Sequence, residues 1–132
     1  MRIFTVDLKE FMMLKQILLV GLGGGIGSIF RFLSTELTHK YYAWAFPLAT
    51  FGINIAGCFL IGLLVSVISA ENQNLKYLLI VGFCGGFTTF SSFARETLDL
   101  MNNNQILLAL LYVTASCIVG CVAVWFGMNL SK

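Results

Sequence analysis

Apolar residues run along this chain in four long stretches, separated by short polar connectors. Ile17 to Phe30 is uncharged and continues past Arg31 into Phe32 and Leu33; Ala43 to Ala70, Tyr77 to Ala94 and Leu100 to Ser131 carry no charge at all. A spanning helix needs about 20 mostly apolar residues. The pattern therefore predicts four helices, near residues 14–38, 47–69, 76–101 and 106–130. The connectors, His39 to Phe46, Ala70 to Leu75 and Asn102 to Gln105, leave no room for a second domain. Runs such as Ile106-Leu107-Leu108-Ala109-Leu110-Leu111 do not alternate, as barrel strands would. Helices are the other structure that satisfies a backbone in lipid. A buried soluble core accommodates one such run, not four.

Composition agrees with an all-α membrane protein. Of 132 residues, 58% are hydrophobic and 11% charged, against about 25% charged in soluble domains, and mean hydropathy is +0.90. A soluble enzyme and a disordered tail are excluded. So is a nucleic-acid binder, because the net charge is +2 and the eight Lys and Arg are scattered. No Ser/His/Asp set, paired carboxylates or phosphate loop is present, so the chain is not read as an enzyme. The lone His39 sits in a connector. Residues 1–12, with Arg2, Asp7, Lys9 and Glu10, differ in character and form a leader with no assigned role; residues 13–132 form one four-helix domain. The first span lacks a clean cleavage site, and Arg31 interrupts its end, so it is a mature span rather than a signal peptide.

An even span count puts both termini on one side, with Arg2, Lys9, Lys15, Lys76 and Lys132. The other side has Lys40, with Arg31 and Arg95 if they reach it. This positive-inside bias is weak, and a start at Met12 or Met13 removes it. Ordinary single topology and dual insertion with an antiparallel homodimer both remain open at this point.

Polar and small residues inside the spans carry the chemistry. Gly21 to Gly27 is not a dinucleotide loop: the G-x-G-x-x-G register needs glycine where Ile26, Ser28 or Phe30 stands. It does hold two small-xxx-small pairs, Gly21/Gly25 and Gly23/Gly27, which let helices approach closely. Thr50, Asn54 and Gly57 share a face of the second span. Asn54 reads either as interhelical glue, contributing about 0.6 kcal/mol, or as a donor on a pathway. The third span holds Gly82-Phe83-Cys84-Gly85-Gly86-Phe87-Thr88-Thr89-Phe90-Ser91-Ser92-Phe93. Glycine lowers helix propensity by about 1 kcal/mol per residue, and hydroxyls satisfy freed backbone groups. The sequence therefore allows a break near Gly85 to Thr89, whose free carbonyls would suit a hard cation. Phe90 and Phe93, three apart, share a face. They read as packing, or as positive ring edges that attract a small anion. Tyr112, Ser116 and Gly120 form one stripe on the fourth span, as glue or as donors. Cys58, Cys84, Cys117 and Cys121 lie within spans and read as small apolar residues.

Three segments together resemble the Fluc (CrcB-type) fluoride channel family: Gly23-Gly24-Gly25-Ile26-Gly27-Ser28-Ile29-Phe30-Arg31, Ala49-Thr50-Phe51-Gly52-Ile53-Asn54-Ile55-Ala56-Gly57, and Gly82 to Phe93. The resemblance covers about Met13 to Asn129. It implies a bacterial inner-membrane protein of four helices per subunit, with the third broken mid-membrane. It also implies an antiparallel, dual-topology homodimer in membrane lipid, with two fluoride pores. A central structural sodium ion would be held by the backbone carbonyls of Gly85 and Thr88 from both subunits. Phe90 and Phe93 match the pore phenylalanines and Asn54 the pore asparagine. Tyr112 and Ser116 match pore-lining polar residues, and Arg31 matches an arginine near a vestibule. Ser92 stands where many relatives have Thr, Ala49 where Gly is usual, and Gly120 where some have a pore hydroxyl. The function implied is passive fluoride export that protects against fluoride toxicity. The alternative is a small dual-topology multidrug exporter. Such exporters rely on a membrane carboxylate in the first helix, whereas here the interior of that helix has no acid and Glu36 is near its end.

Overall fold

The computed structural model describes the backbone of residues 2–131 and the side chains of residues 7–131. Helix α1 runs over Arg2–Tyr41 and α2 over Leu48–Val67. A single turn, α3 (Gln73–Leu75), leads into a π-helical segment, Lys76–Cys84, and then into α4 (Gly85–Phe87). Helices α5 (Phe90–Asn102) and α6 (Ile106–Asn129) complete the chain. Among the described residues, four stretches are long and apolar enough to cross a membrane: Asp7–Tyr41, Leu48–Val67, Gln73–Asn102 and Ile106–Asn129. At about 1.5 Å per residue, even the 20-residue α2 reaches across a hydrocarbon core of about 30 Å.

One boundary and one winding differ from the sequence expectation. Helix α1 does not begin near residue 14 but is continuous from Arg2. Between Arg2 and Val20 there is no proline or glycine, so nothing in the leader stops a helix. The nine-residue π segment was not expected; its positions are apolar nearly throughout and give no periodic contrast from which winding can be read.

The helices pack as two pairs. Helix α1 lies chiefly against the π segment and α4, and α2 chiefly against α6. Both seams are glycine-lined because backbone meets backbone there. A Cβ on Gly27 would overlap the Phe83 carbonyl, and one on Gly23 the Leu78 carbonyl. Across the other seam, a Cβ on Gly127 would run into the Phe59 carbonyl. Of the two small-residue pairs on α1, only Gly23/Gly27 is used within the chain. A Cβ on Gly21 or Gly25 would meet nothing within 4 Å among the described residues. The α5–α6 connector turns through Asn104, whose φ of 59° lies in the left-handed region that Asn tolerates better than most residues. The Asn104 and Gln105 amides donate back to the Met101 and Leu100 carbonyls.

Gly27→Leu forces a side chain into the Phe83 carbonyl, where overpacking costs about 1–3 kcal/mol or more. It is expected to lower the thermal midpoint of the detergent-purified protein clearly. The same change at Gly25 should leave the monomer fold near wild type. Equal losses at both positions would contradict the one-sided seam.

Candidate functional site

The site is built around Thr88 and Thr89, which separate α4 from α5. Both are extended, with φ −76°, ψ 158° at Thr88 and φ −148°, ψ 116° at Thr89. Two extended residues interrupt the i→i+4 ladder, so their polar groups need other partners. Asn54 on α2 supplies them reciprocally. Thr89 N–H donates to Asn54 Oδ1 at 2.8 Å, and Asn54 Nδ2 donates to the Thr89 carbonyl at 3.0 Å. Thr88 bonds backward, its Oγ1 donating to the Cys84 carbonyl at 2.8 Å. The Thr89 hydroxyl restarts the helix: it accepts from Ser92 N–H at 3.2 Å and so caps α5.

Those partners divert the donors that a continuous helix would offer to Gly85 and Thr88. Thr89 N–H, four residues after Gly85, is held by Asn54, and Ser92 N–H, four after Thr88, by the Thr89 side chain. Two main-chain oxygens are thereby freed, and Gly85 lies on the exposed side of α4. Neutral carbonyl oxygens are the donor type a hard cation takes, so the residues present fit a sodium ion.

Beside the interruption lies a cleft of about 330 Å³, bordered by Asn54, Thr88, Thr89, Phe90, Phe93 and Ser116. Five residues selected from the sequence, Asn54, Thr88, Phe90, Phe93 and Ser116, thus meet in one place. The Phe90 and Phe93 ring centroids are 5.8 Å apart, inclined by 42°. Phe93 rests on Tyr112, 5.0 Å away, whereas Phe90 is 78% exposed. Ser116 Oγ is buried and has no hydrogen-bond partner among the described residues. Asn54 has two amide hydrogens, so one donor remains beyond its bond to Thr89.

Tyr112 is set apart from that cleft. It is 0% exposed, and its hydroxyl donates to Glu96 Oε2 at 2.9 Å. Thr50 Oγ1 donates to the other carboxylate oxygen, Glu96 Oε1, at 2.7 Å. Glu96 is the residue that sequence reasoning missed. The available signal was its spacing: it follows Phe93 by three positions, on one face of α5. Arg31 borders a second cleft of about 430 Å³ with Ser28, Thr89, Ser92, Arg95 and Glu96. This polar cleft and the phenylalanine-lined one share Thr89 as a common wall.

Residues 18–128 match the family described as CrcB-like protein, Camphor Resistance (CrcB). The chain belongs to the CrcB family. Among its relatives is the fluoride-specific ion channel FluC of Flavobacterium psychrophilum, 46% identical over 122 residues, which cover 90% of this chain and 98% of that protein. The protein of the same name from Azobacteroides pseudotrichonymphae is 45% identical over 91% of this chain and 98% of its own length. That of Methylobacillus flagellatus is 44% identical over 89% and 94%. The CrcB match begins at residue 18, within α1.

Asn54→Ala leaves the Thr89 N–H and carbonyl unpaired beside the interruption. Each buried unsatisfied group costs about 1–3 kcal/mol. The variant is expected to melt well below wild type in detergent, whereas Ser116→Ala, which removes an unpartnered hydroxyl, should be close to neutral in the same measurement.

Proposed function

We propose that this chain is the subunit of a fluoride-selective ion channel, a multi-pass protein of the bacterial inner membrane that passively exports fluoride and protects against its toxicity. The observation that carries the reading is the Thr88–Thr89 interruption, tied to Asn54 beside a cleft edged by Phe90 and Phe93. It occurs in a chain 46% identical to a protein named as such a channel. Non-helical backbone at membrane depth is tolerated where it is buried in protein or lines a water-filled cavity, and in this reading the third span is broken mid-membrane for that purpose.

The working unit is an antiparallel homodimer with dual topology. Support comes from three features of the single chain: the weak charge bias between the two sides of its spans, the open Gly21/Gly25 pair, and a Phe90 ring left 78% exposed. Carbonyls of Gly85 and Thr88 from both copies would hold a sodium ion at the twofold axis. When bound, the ion supplies a fixed positive charge that ties the two interrupted spans together.

Fluoride is small and strongly hydrated, so a path must replace its lost water without holding it fast. Arg31, bordering the polar cleft, draws the anion toward the vestibule. From there the free Asn54 amide hydrogen, the ring edges of Phe90 and Phe93, and the Ser116 hydroxyl offer successive weak contacts. Ring edges are the positive part of the aromatic quadrupole. Tyr112 backs Phe93 and presents its hydroxyl to Glu96, so its part in the path is exercised through that carboxylate. Selectivity over chloride follows from narrowness between the rings.

Fluoride efflux from liposomes holding the purified protein, with chloride as control, tests the reading. Fluoride should leave rapidly and chloride should not; proton-coupled drug uptake without fluoride efflux would favour an exporter. Phe93→Ile is expected to cut fluoride flux with dimer assembly largely intact, and unchanged flux would remove Phe93 from the path. Asn54→Asp keeps an acceptor for Thr89 N–H but adds negative charge; it should impair anion passage, and wild-type conduction would place Asn54 off the pathway.

A further inference from the structure

The connector between α1 and α2 ends on a tight turn. Proline fixes its own φ and has no N–H to offer, and the residue before it is pushed toward extended backbone. Pro47 has φ −74° and ψ 68°, the geometry of an inverse γ-turn. The Phe46 carbonyl accepts from Leu48 N–H across that turn at 2.8 Å. The Pro47 carbonyl then accepts from Phe51 N–H at 3.1 Å, which starts α2. Phe46 is thereby tied to the first turn of the helix. Trp44 in the same connector is 82% exposed, whereas Phe46 is half-buried and packs on the core around Tyr112. Its ring stands edge-on to two others, 5.4 Å and 68° from Phe51 and 5.4 Å and 81° from Tyr112. Tyr112 in turn carries Phe93 at 5.0 Å.

We propose that Phe46 is a positioning residue for the Phe93 ring: held by the Pro47 turn, it braces Tyr112, and Tyr112 passes that constraint to Phe93. Tyr112 has little freedom to absorb a change. It is fully buried, and its hydroxyl is fixed to Glu96 at 2.9 Å. Removing the Phe46 ring leaves a gap against Tyr112, and neighbours relax partly into such a space. Aromatic pairs hold preferred mutual orientations, so a tilt at Tyr112 is handed to Phe93, which rests on it. Phe46 also borders a cleft of about 430 Å³ that holds Glu96 and Asp99. The connector is therefore where a change outside the spans reaches the phenylalanine pair. The inference rests on the channel reading for its effect on flux, and on ring geometry alone for the placement of Phe93.

The test follows Phe93 directly. Para-fluorophenylalanine placed at position 93 of the full-length protein reports the surroundings of that ring through its fluorine resonance. Fluoride efflux from liposomes is measured on the unlabelled protein. Phe46→Ala should move the resonance and lower efflux several-fold. Phe59→Ala, which removes another half-buried ring, one that packs on Phe126, should leave both readouts near wild type. The proposal is overturned by an unmoved resonance in Phe46→Ala, by a resonance moved as far in Phe59→Ala, or by wild-type efflux in Phe46→Ala. If Phe46→Ala does not fold, Phe46→Leu, which shortens the contact without emptying the place, is held to the same outcomes. If the unsubstituted protein passes no fluoride, the channel reading fails, and the resonance alone decides whether Phe46 positions Phe93.

Discussion

A single amide side chain holds this architecture open. Backbone that leaves the helical ladder inside lipid must find other partners, because water is not there to supply them. Asn54 provides one donor and one acceptor to the same residue, Thr89, and so mends both halves of the interruption at once. The neighbouring hydroxyls complete the repair, with Thr88 bonding backward to Cys84 and Thr89 capping α5. The site follows from that exchange: the freed oxygens of Gly85 and Thr88, the extended Thr88–Thr89 pair before Phe90, and the cleft between α2, α5 and α6.

The second constraint is distance. Helices in lipid gain little from apolar contact alone and associate through close packing and a few polar bonds. The glycines of α1 and the π segment allow main chain to touch main chain. On the opposite seam, Gly62 and Gly127 do the same between α2 and α6. These rigid contacts fix where α2 stands, and so bring Asn54 within 3.0 Å of a carbonyl 35 residues away.

What could be read from the sequence depended on contrast. Four spans were legible because charge stops and starts abruptly at their ends. Asn54 and the run from Thr88 to Ser92 stood out because polar groups are rare in apolar surroundings, and the structure gathers Asn54, Phe90, Phe93 and Ser116 around one cleft. Glu96 did not stand out, since a carboxylate beside Arg95 near the end of a span looks solvated. Only the fold shows it bonded by Thr50 and Tyr112, 46 and 16 residues away. The π winding was invisible for the opposite reason, as a stretch apolar on every side has no phase. The continuation of α1 through the leader was also unread, because charge content and helical continuity are independent.

The two glycine pairs of α1 point in different directions, one buried in the chain's own seam and the other bare. Positions two apart differ by about 200° around a helix of 3.6 residues per turn, so one rod offers two unrelated faces. A genetic screen along this helix would therefore sort itself. Lesions at Gly23 and Gly27 would register as lost protein, while lesions at Gly21 and Gly25 would leave the polypeptide abundant and expose only what it does in company.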